Sequence, residues 1–483
     1  MLKFELVQTF NKRFVTAEKS AIFQSQKSYK NSIPTIMKNF VKLAFCILIF
    51  YSCKTEIKNN EATGISNKEK KENIILSRKD YGNQLYGFWL GQSIANWTGL
   101  VTEMDKIGNI GEIKTGNFYT RDNWGKPDQP SIWGEGIPSD LSQTIDFVFR
   151  DTNEIWGADD DTDIEYMYQY LMFVNQTSTL TPEQIRDGWL KHIKPNEENY
   201  LWVSNQKAYD LMLEGVLPPE TGNPEKNEHH EMIDAQLTTE IFGLFSPGRP
   251  DVATRIAHLP IQTTAREESE DISRFYVTMY SLASLNTEKT LSERIHWMAN
   301  KARKVLPDST YPAKMFDYSR KLYGLGIPWE QTRDSIYHRY QVQQKDGYDI
   351  TSKNLYCNGC FAAGINFASS LVSLFYGEGD LKKTIQIGTL AGWDSDNPTA
   401  TWGGLIGFMI GKDGIEKTFD REFSNRFNIH RTRQNFPEDG IDTFERMAQR
   451  GLIVTDQVVK EEIFGTIDEE NDTWIIPIKI EYE

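Results

Sequence analysis

Apolar residues recur at intervals of three and four along most of this chain, and nowhere do they alternate long enough to furnish a central sheet. A chain patterned in this way buries its hydrophobic surface by packing helices on helices, so the fold class it predicts is all-α, a helical bundle. An opening helical run carries Leu85, Phe88, Trp89, Ile94 and Trp97. Further ones are expected at 163–175, 183–193, 230–245, 250–259, 268–285, 289–305, 311–323, 328–340, 360–376, 380–391 and 399–411. Gly/Pro/Asn punctuation such as Pro218-Pro219 and Pro247-Gly248-Arg249-Pro250 separates them. The exception comes at the end, where Trp474, Ile476, Ile478 and Ile480 alternate between Thr473 and Tyr482. That stretch is a possible small C-terminal β element, expected to pair with residues near 452–459.

The first 53 residues read as targeting sequence. Met37, Lys38 and Lys42 precede an apolar run from Leu43 to Tyr51, which is too short to span a bilayer and is followed by Ser52-Cys53. This arrangement resembles the lipobox of bacterial lipoprotein signal peptides, and it makes Cys53 the expected lipidation site and Met37 the expected start. The reading predicts an extracytoplasmic protein, anchored by lipid to a bacterial membrane and facing the periplasm or the outer membrane. Residues 54–75 hold almost nothing apolar and are expected to be a disordered tether. The all-α domain then runs over 76–450, with a tail over 451–483.

Charge narrows the partners. The chain holds 53 Lys/Arg against 68 Asp/Glu, net -15. Removing residues 1–53, with eight basic and two acidic residues, leaves 45 against 66. An acidic chain without a basic stripe is not expected to bind nucleic acid.

Two acidic clusters carry the chemistry. Asp159-Asp160-Asp161-Thr162-Asp163 directly precedes the helical run from Ile164. One or two carboxylates there are accounted for by the exposed N–H groups of a helix start, but four in five positions repel one another unless a hard cation holds them. The second cluster, Asp394-Ser395-Asp396-Asn397, sits before a run in which Gly403, Gly407 and Gly411 recur every fourth residue. That stripe lets another helix come close and fixes the loop before it. Neither cluster fits an EF-hand, since position six is Ile164 or Thr399 instead of Gly. Oxygen-only donors favour Mg, with Mn or Ca as alternatives, over zinc.

The Asp-Asp-Thr opening a helix and the later Gly392-Trp393-Asp394-Ser395-Asp396, together with Gly87 to Glu103 and Phe242 to Gly248, resemble the ADP-ribosylglycohydrolase family, which includes the dinitrogenase-reductase-activating type. The resemblance runs from about residue 81 to 412 and implies that family's helical fold. It also implies two divalent cations held by Asp159, Asp160, Asp161, Asp394, Asp396 and Asn397, with Asp161 or Asp396 orienting a water and Glu103 assisting as acid, base or gate. Asn96 and Asn397 are the implied substrate-side residues, and Trp393, with Trp402, Trp97 and Tyr168, is a candidate to stack on a base or sugar, although aromatics beside helices are more often core than ligand platform. Asp159 and Asn397 stand where the family carries Thr, and Asn96 where it carries Asp. The implied activity is metal-dependent hydrolysis of an ADP-ribosyl or related ribosyl bond, on a small-molecule or protein-linked substrate. Two rivals keep the fold: an exported hydrolase of a different glycoside, and a non-catalytic binding lipoprotein.

Two further motifs are weaker. Cys357-Asn358-Gly359-Cys360 could close a small disulfide. Glu228-His229-His230-Glu231 lacks zincin spacing, but Asp234, Gln236 and Glu240 beyond it could face the same cleft as the aspartates.

Overall fold

Ser77 closes the first strand, β1 (Asn73–Ser77), and its hydroxyl accepts from the Asp80 N–H at 3.1 Å, capping α1 (Arg78–Gly99). The computed structural model describes residues 73–132, 139, 141–195, 200–285 and 289–478. The expected leader, Cys53 and residues up to 72 lie outside the described residues, as does Ile480.

After α1, an irregular stretch carries β2 (Trp156–Gly157) to α2 (Asp160–Asn175), α3 (Pro182–His192) and α4 (Val203–Leu213). Four short helices follow: α5 (Asp234–Thr238), α6 (Ile241–Phe245), α7 (Pro250–Ile256) and α8 (His258–Gln262). Next come α9 (Glu268–Ala283), α10 (Leu291–Ala302), α11 (Tyr311–Gly324) and α12 (Trp329–Ile336), the last running into a π-helical turn at Tyr337–Val342. The chain continues through α13 (Ala363–Gly377), α14 (Leu381–Ala391) and α15 (Asp396–Phe419), then β3 (Arg426–Asn428), β4 (Ile441–Thr443), α16 (Phe444–Glu461), β5 (Thr466–Asp468) and β6 (Thr473–Pro477). The mostly helical architecture is the one the apolar periodicity predicts.

At the centre α1 lies along α15, and glycine makes the approach possible. A Cβ on Gly91 would overlap the Gly403 carbonyl oxygen, and one on Gly87 would overlap that of Gly407. The buried face of α1, with Leu85, Phe88, Trp89 and Ile94, thereby joins Trp402, Leu405, Ile406 and Phe408 in one core.

Several elements differ from expectation for local reasons. The helix expected over 250–259 breaks at Ala257 because Pro260 cannot donate to Ile256 and crowds its carbonyl. The helix expected over 230–245 is interrupted between Thr238 and Ile241. Residues 452–459 are not a strand. They belong to α16, where Met447, Ala448, Gly451, Val454, Thr455, Val458 and Val459 form the buried stripe of an amphipathic helix. A boundary at 450 therefore falls inside a helix. The expected C-terminal strand exists, but it pairs antiparallel with β1 on one side, Leu76 opposite Trp474, and with β5 on the other. A second small sheet, β2-β3-β4, has β2 parallel and β4 antiparallel to β3.

Candidate metal centre

Asp159 is the N-cap of α2. Its N–H donates to the Thr162 hydroxyl, which donates back to the Asp159 carbonyl, both at 3.0 Å. This cap presents Asp160 and Asp161 at the positive end of the helix, where carboxylates are favoured. Asp163, one turn in, faces the interior and pairs with Arg433 at 2.8 Å, both side chains fully buried.

The second acidic loop is held by backbone. Trp393 N–H donates to the Lys106 carbonyl and Met104 N–H donates to the Trp393 carbonyl, each at 2.9 Å. These two bonds clamp the segment carrying Glu103 against the loop carrying Asp394 and Asp396. The approach requires Gly392, at φ +94°, because a Cβ there would overlap the Lys106 carbonyl. From the other side the Ser395 hydroxyl bonds the Gly99 carbonyl at the end of α1 (3.0 Å), where a Cβ on Gly99 would overlap Asp396.

These constraints bring the two loops together across more than 230 residues. Carboxylate oxygens of Asp159, Asp160, Asp161 and Asp396 lie within 4.8 Å of one another, and so do those of Glu103, Asp394 and Asp396. Asp396 belongs to both groups. The Asn397 amide donates to one oxygen of Asp161 (2.9 Å), and the Asn96 amide donates to the other (3.2 Å) and to Asp159 (3.3 Å).

Burial and like charge push four of these acids upward. Burial raises the carboxyls of Asp394 and Asp396 well above the usual range, with the charges of Glu103 and Asp161 adding to it. Asp160, at the more open side, is raised well above its ordinary value by burial and then by Asp159 and Asp161. Asp161 is pushed up to about 7 by burial, opposed by its hydrogen bonds to Asp396 and Asn397. A cluster that resists ionising in this way is the electrostatic counterpart of a cation site. Asp396 Oδ1, Asn96 Oδ1 and Gln236 Oε1 are buried without a hydrogen-bond partner among the described residues, so oxygen donors are available for a hard ion. The donor set fits Mg, Mn or Ca.

Not every expected residue performs as expected. The Trp393 ring is fully buried, its centroid 4.8 Å from that of Phe118, and it offers no face to a ligand; the residue acts through its backbone. Trp402 and Tyr168 are likewise core. Trp97 is nearly buried, but the guanidinium groups of Arg150 and Arg431 lie over it at 4.6 and 5.4 Å. Of the residues beyond the His-rich motif, the Gln236 amide donates to Asn397 Oδ1 (3.3 Å), while Asp234 accepts from the Ser204 hydroxyl (2.6 Å) and the Asn205 N–H (3.2 Å). Glu240 is buried behind the site, accepting from the Thr401 hydroxyl at 2.9 Å. Cys357 and Cys360 are joined as a disulfide, with their Cα atoms 5.5 Å apart.

Sequence reasoning missed three participants. Arg431 donates to the Ala158 carbonyl and to Asp159 Oδ1, the latter at 3.1 Å. Gln92 bridges the Asp161 carbonyl (3.2 Å) and Glu165 (2.5 Å) from beneath. Arg433 neutralises Asp163. Gln92 carried a faint signal, a polar residue on the buried side of an apolar helix; the two arginines, in an irregular segment, carried none.

A sequence model described as ADP-ribosylglycohydrolase matches residues 77–450 of the chain. No curated protein sequence matches it significantly. A solved structure titled "ADP-ribosylglycohydrolase-related protein complex" is similar at 12% identity and a TM-score of 0.44, over 78% of this chain and 99% of that one.

Proposed function

This chain belongs to the ADP-ribosylglycohydrolase family, whose model spans 77–450, and from that premise we propose that it hydrolyses an ADP-ribosyl or closely related ribosyl glycosidic bond with the help of divalent metal. The observation carrying the proposal is the convergence of Asp159–Asp161 and Asp394–Asp396, with Glu103, into one largely buried cluster of oxygens. A divalent cation bound there supplies Lewis-acid polarisation of ribose hydroxyls and of a water. Asp160, Asp394 and Asp396 are the proposed ligands of that ion.

The remaining chemistry belongs to the chain. Asp161, whose carboxyl burial raises above the ordinary range in the metal-free chain, is the proposed acceptor of a proton from an attacking water. Glu103, half-buried at the edge of the cluster, is proposed as the group that gives a proton to the departing oxygen or nitrogen. Asn96 and Asn397 hold Asp161 in orientation through both its oxygens. The basic start, apolar run and Cys53 support an exported, lipid-anchored location, and the acidic composition supports a small or protein-linked glycosyl substrate over nucleic acid.

Purified chain incubated with Mg and, separately, ADP-ribosyl-arginine, ADP-ribosyl-serine and a panel of glycosides should release ADP-ribose from at least one ADP-ribosyl substrate, read by chromatography. Release from a glycoside alone would move the assignment to another sugar. Stabilisation by ADP-ribose without product from any substrate would reduce the protein to a binding lipoprotein.

A further inference from the structure

Asn366 and the Cys357–Cys360 disulfide take no part in the proposed chemistry, yet hydrogen bonds tie them to it. Asn366 is fully buried in the first turn of α13. Its side-chain NH2 donates to the carbonyls of Cys360 (2.8 Å) and Ala362 (3.0 Å), and its Oδ1 accepts the backbone N–H of Asp394 (3.3 Å), one of the proposed metal ligands. The two donated bonds fix which end of the amide faces Asp394, so one buried side chain spans the distance from the disulfide to the acidic loop. The cross-linked turn touches other segments of the centre as well. The Asn358 amide donates to the Ile110 carbonyl (2.6 Å), close beyond the Lys106 carbonyl that receives Trp393. Ile233 N–H donates to the Phe361 carbonyl (3.0 Å) at the start of α5, whose Gln236 bonds Asn397. The turn is not one that the backbone favours, since Tyr356 (φ +42°) and Asn358 (φ +58°) both lie in the left-handed region, where a tyrosine is costly. The covalent link brackets Asn358 and directly follows Tyr356, and so restricts the turn from relaxing out of that conformation.

We infer, resting on the reading of Asp394 as a metal ligand, that Asn366 is a positioning residue for the Asp394 loop and that the Cys357–Cys360 link holds Asn366 in place, so that the affinity of the centre for metal depends on the disulfide being closed. When the link opens, the turn relaxes toward ordinary backbone, the Cys360 carbonyl leaves the Asn366 amide, and the Asp394 N–H loses its fixed acceptor. Cys360 is buried but Cys357 is partly exposed, so a small reductant reaches the link from the Cys357 side.

Mn(II) binding to the full-length chain, followed through the electron paramagnetic resonance signal of the free ion, tests this without substrate. Asn366→Leu, branched like asparagine but without its bonds, should weaken binding roughly 10–100-fold, the loss expected when an outer partner of a ligand is removed. Cys357→Ser with Cys360→Ser should weaken it about 2- to 30-fold, as for a coupling carried through an intervening side chain. The triple variant should bind no more weakly than Asn366→Leu alone, because both changes act through one amide; independent structural damage would instead multiply. The unsubstituted chain, treated with a phosphine that is oxidised to its oxide as the link becomes two thiols and then freed of it, should show the loss of the serine variant and recover on reoxidation in air. Should Asn366→Leu fail to keep its helical circular dichroism, reduction and reoxidation decide by themselves. Undiminished affinity in Asn366→Leu or in the reduced chain, or effects that multiply in the triple variant, would overturn the inference and leave metal binding standing. An unsubstituted chain that takes up no Mn(II) would overturn the metal-dependent reading, and this inference with it.

Discussion

Asp160, Asp161, Asp394 and Asp396 at the centre, and Glu240 behind it, hold protons that ordinary carboxylates have already lost. Asp161 sits at about 7 and Glu240 at about 8, both raised chiefly by burial. The unfolded chain releases these protons near pH 4, so between there and about pH 8 the folded state binds more of them. Their contribution to stability is complete below the unfolded value and is lost as pH rises through 7 and 8. The metal-free protein should therefore melt at a progressively lower temperature from about pH 5 to about pH 8.5, while the gain in melting temperature on adding Mg should grow over the same range, because a cation binds deprotonated ligands. Calorimetry at several pH values, with chelator and with Mg, checks both. A melting temperature that rises with pH in chelator would show that these carboxyls are ionised in the fold. At this scale the sequence was informative wherever the signal was local: four aspartates in five positions at a helix start mark themselves. Arg431 and Gln92 did not, because their roles depend on partners 272 and 69 residues away.

At the scale of elements, the site depends on how closely α1 and α15 approach. Gly91 lies against the backbone of Gly403, so Gly91→Ala forces the helices apart and should cost about 1–3 kcal/mol in urea denaturation. Gly99, at the end of α1, lies against Asp396 itself. Gly99→Ala should keep the helical circular dichroism yet weaken Mn(II) binding at least about tenfold, since it displaces a ligand loop while leaving the body of both helices packed. Unchanged binding would show that the loop relaxes independently of α1. The four-residue spacing of Gly403, Gly407 and Gly411 announced a close helical neighbour in the sequence. The neighbour's identity did not follow from it, and neither did the kink at Gly411, at φ +69°, where α15 still lies against Gly87 and Asn83 of α1.

At the scale of the described residues as a whole, β1 at one end pairs with β6 at the other, and β6 with β5. Trp474 of β6 is fully buried, edge-on to Tyr81 at 4.9 Å, and its indole N–H donates to Asp456 on α16 at 2.8 Å. Trp474→Ala should destabilise the protein by about 3–5 kcal/mol while the number of bound Mn(II) ions in the folded fraction stays the same, because the sheet and the metal centre rest on different parts of α1. A change in the bound-metal count would mean that closure of the sheet also sets the site. The sequence by itself determined the helical class, most helix positions and both acidic motifs, since apolar spacing, end caps and local charge density act over a few residues. Only the tertiary structure decided that β6 pairs with β1 and β5, that Trp393 serves through its backbone, that Glu103 is clamped beside Asp394, and that Arg431 satisfies Asp159. Those outcomes rest on backbone bonds and on ion pairs between segments far apart in the chain, which leave no periodicity or composition along the sequence to read.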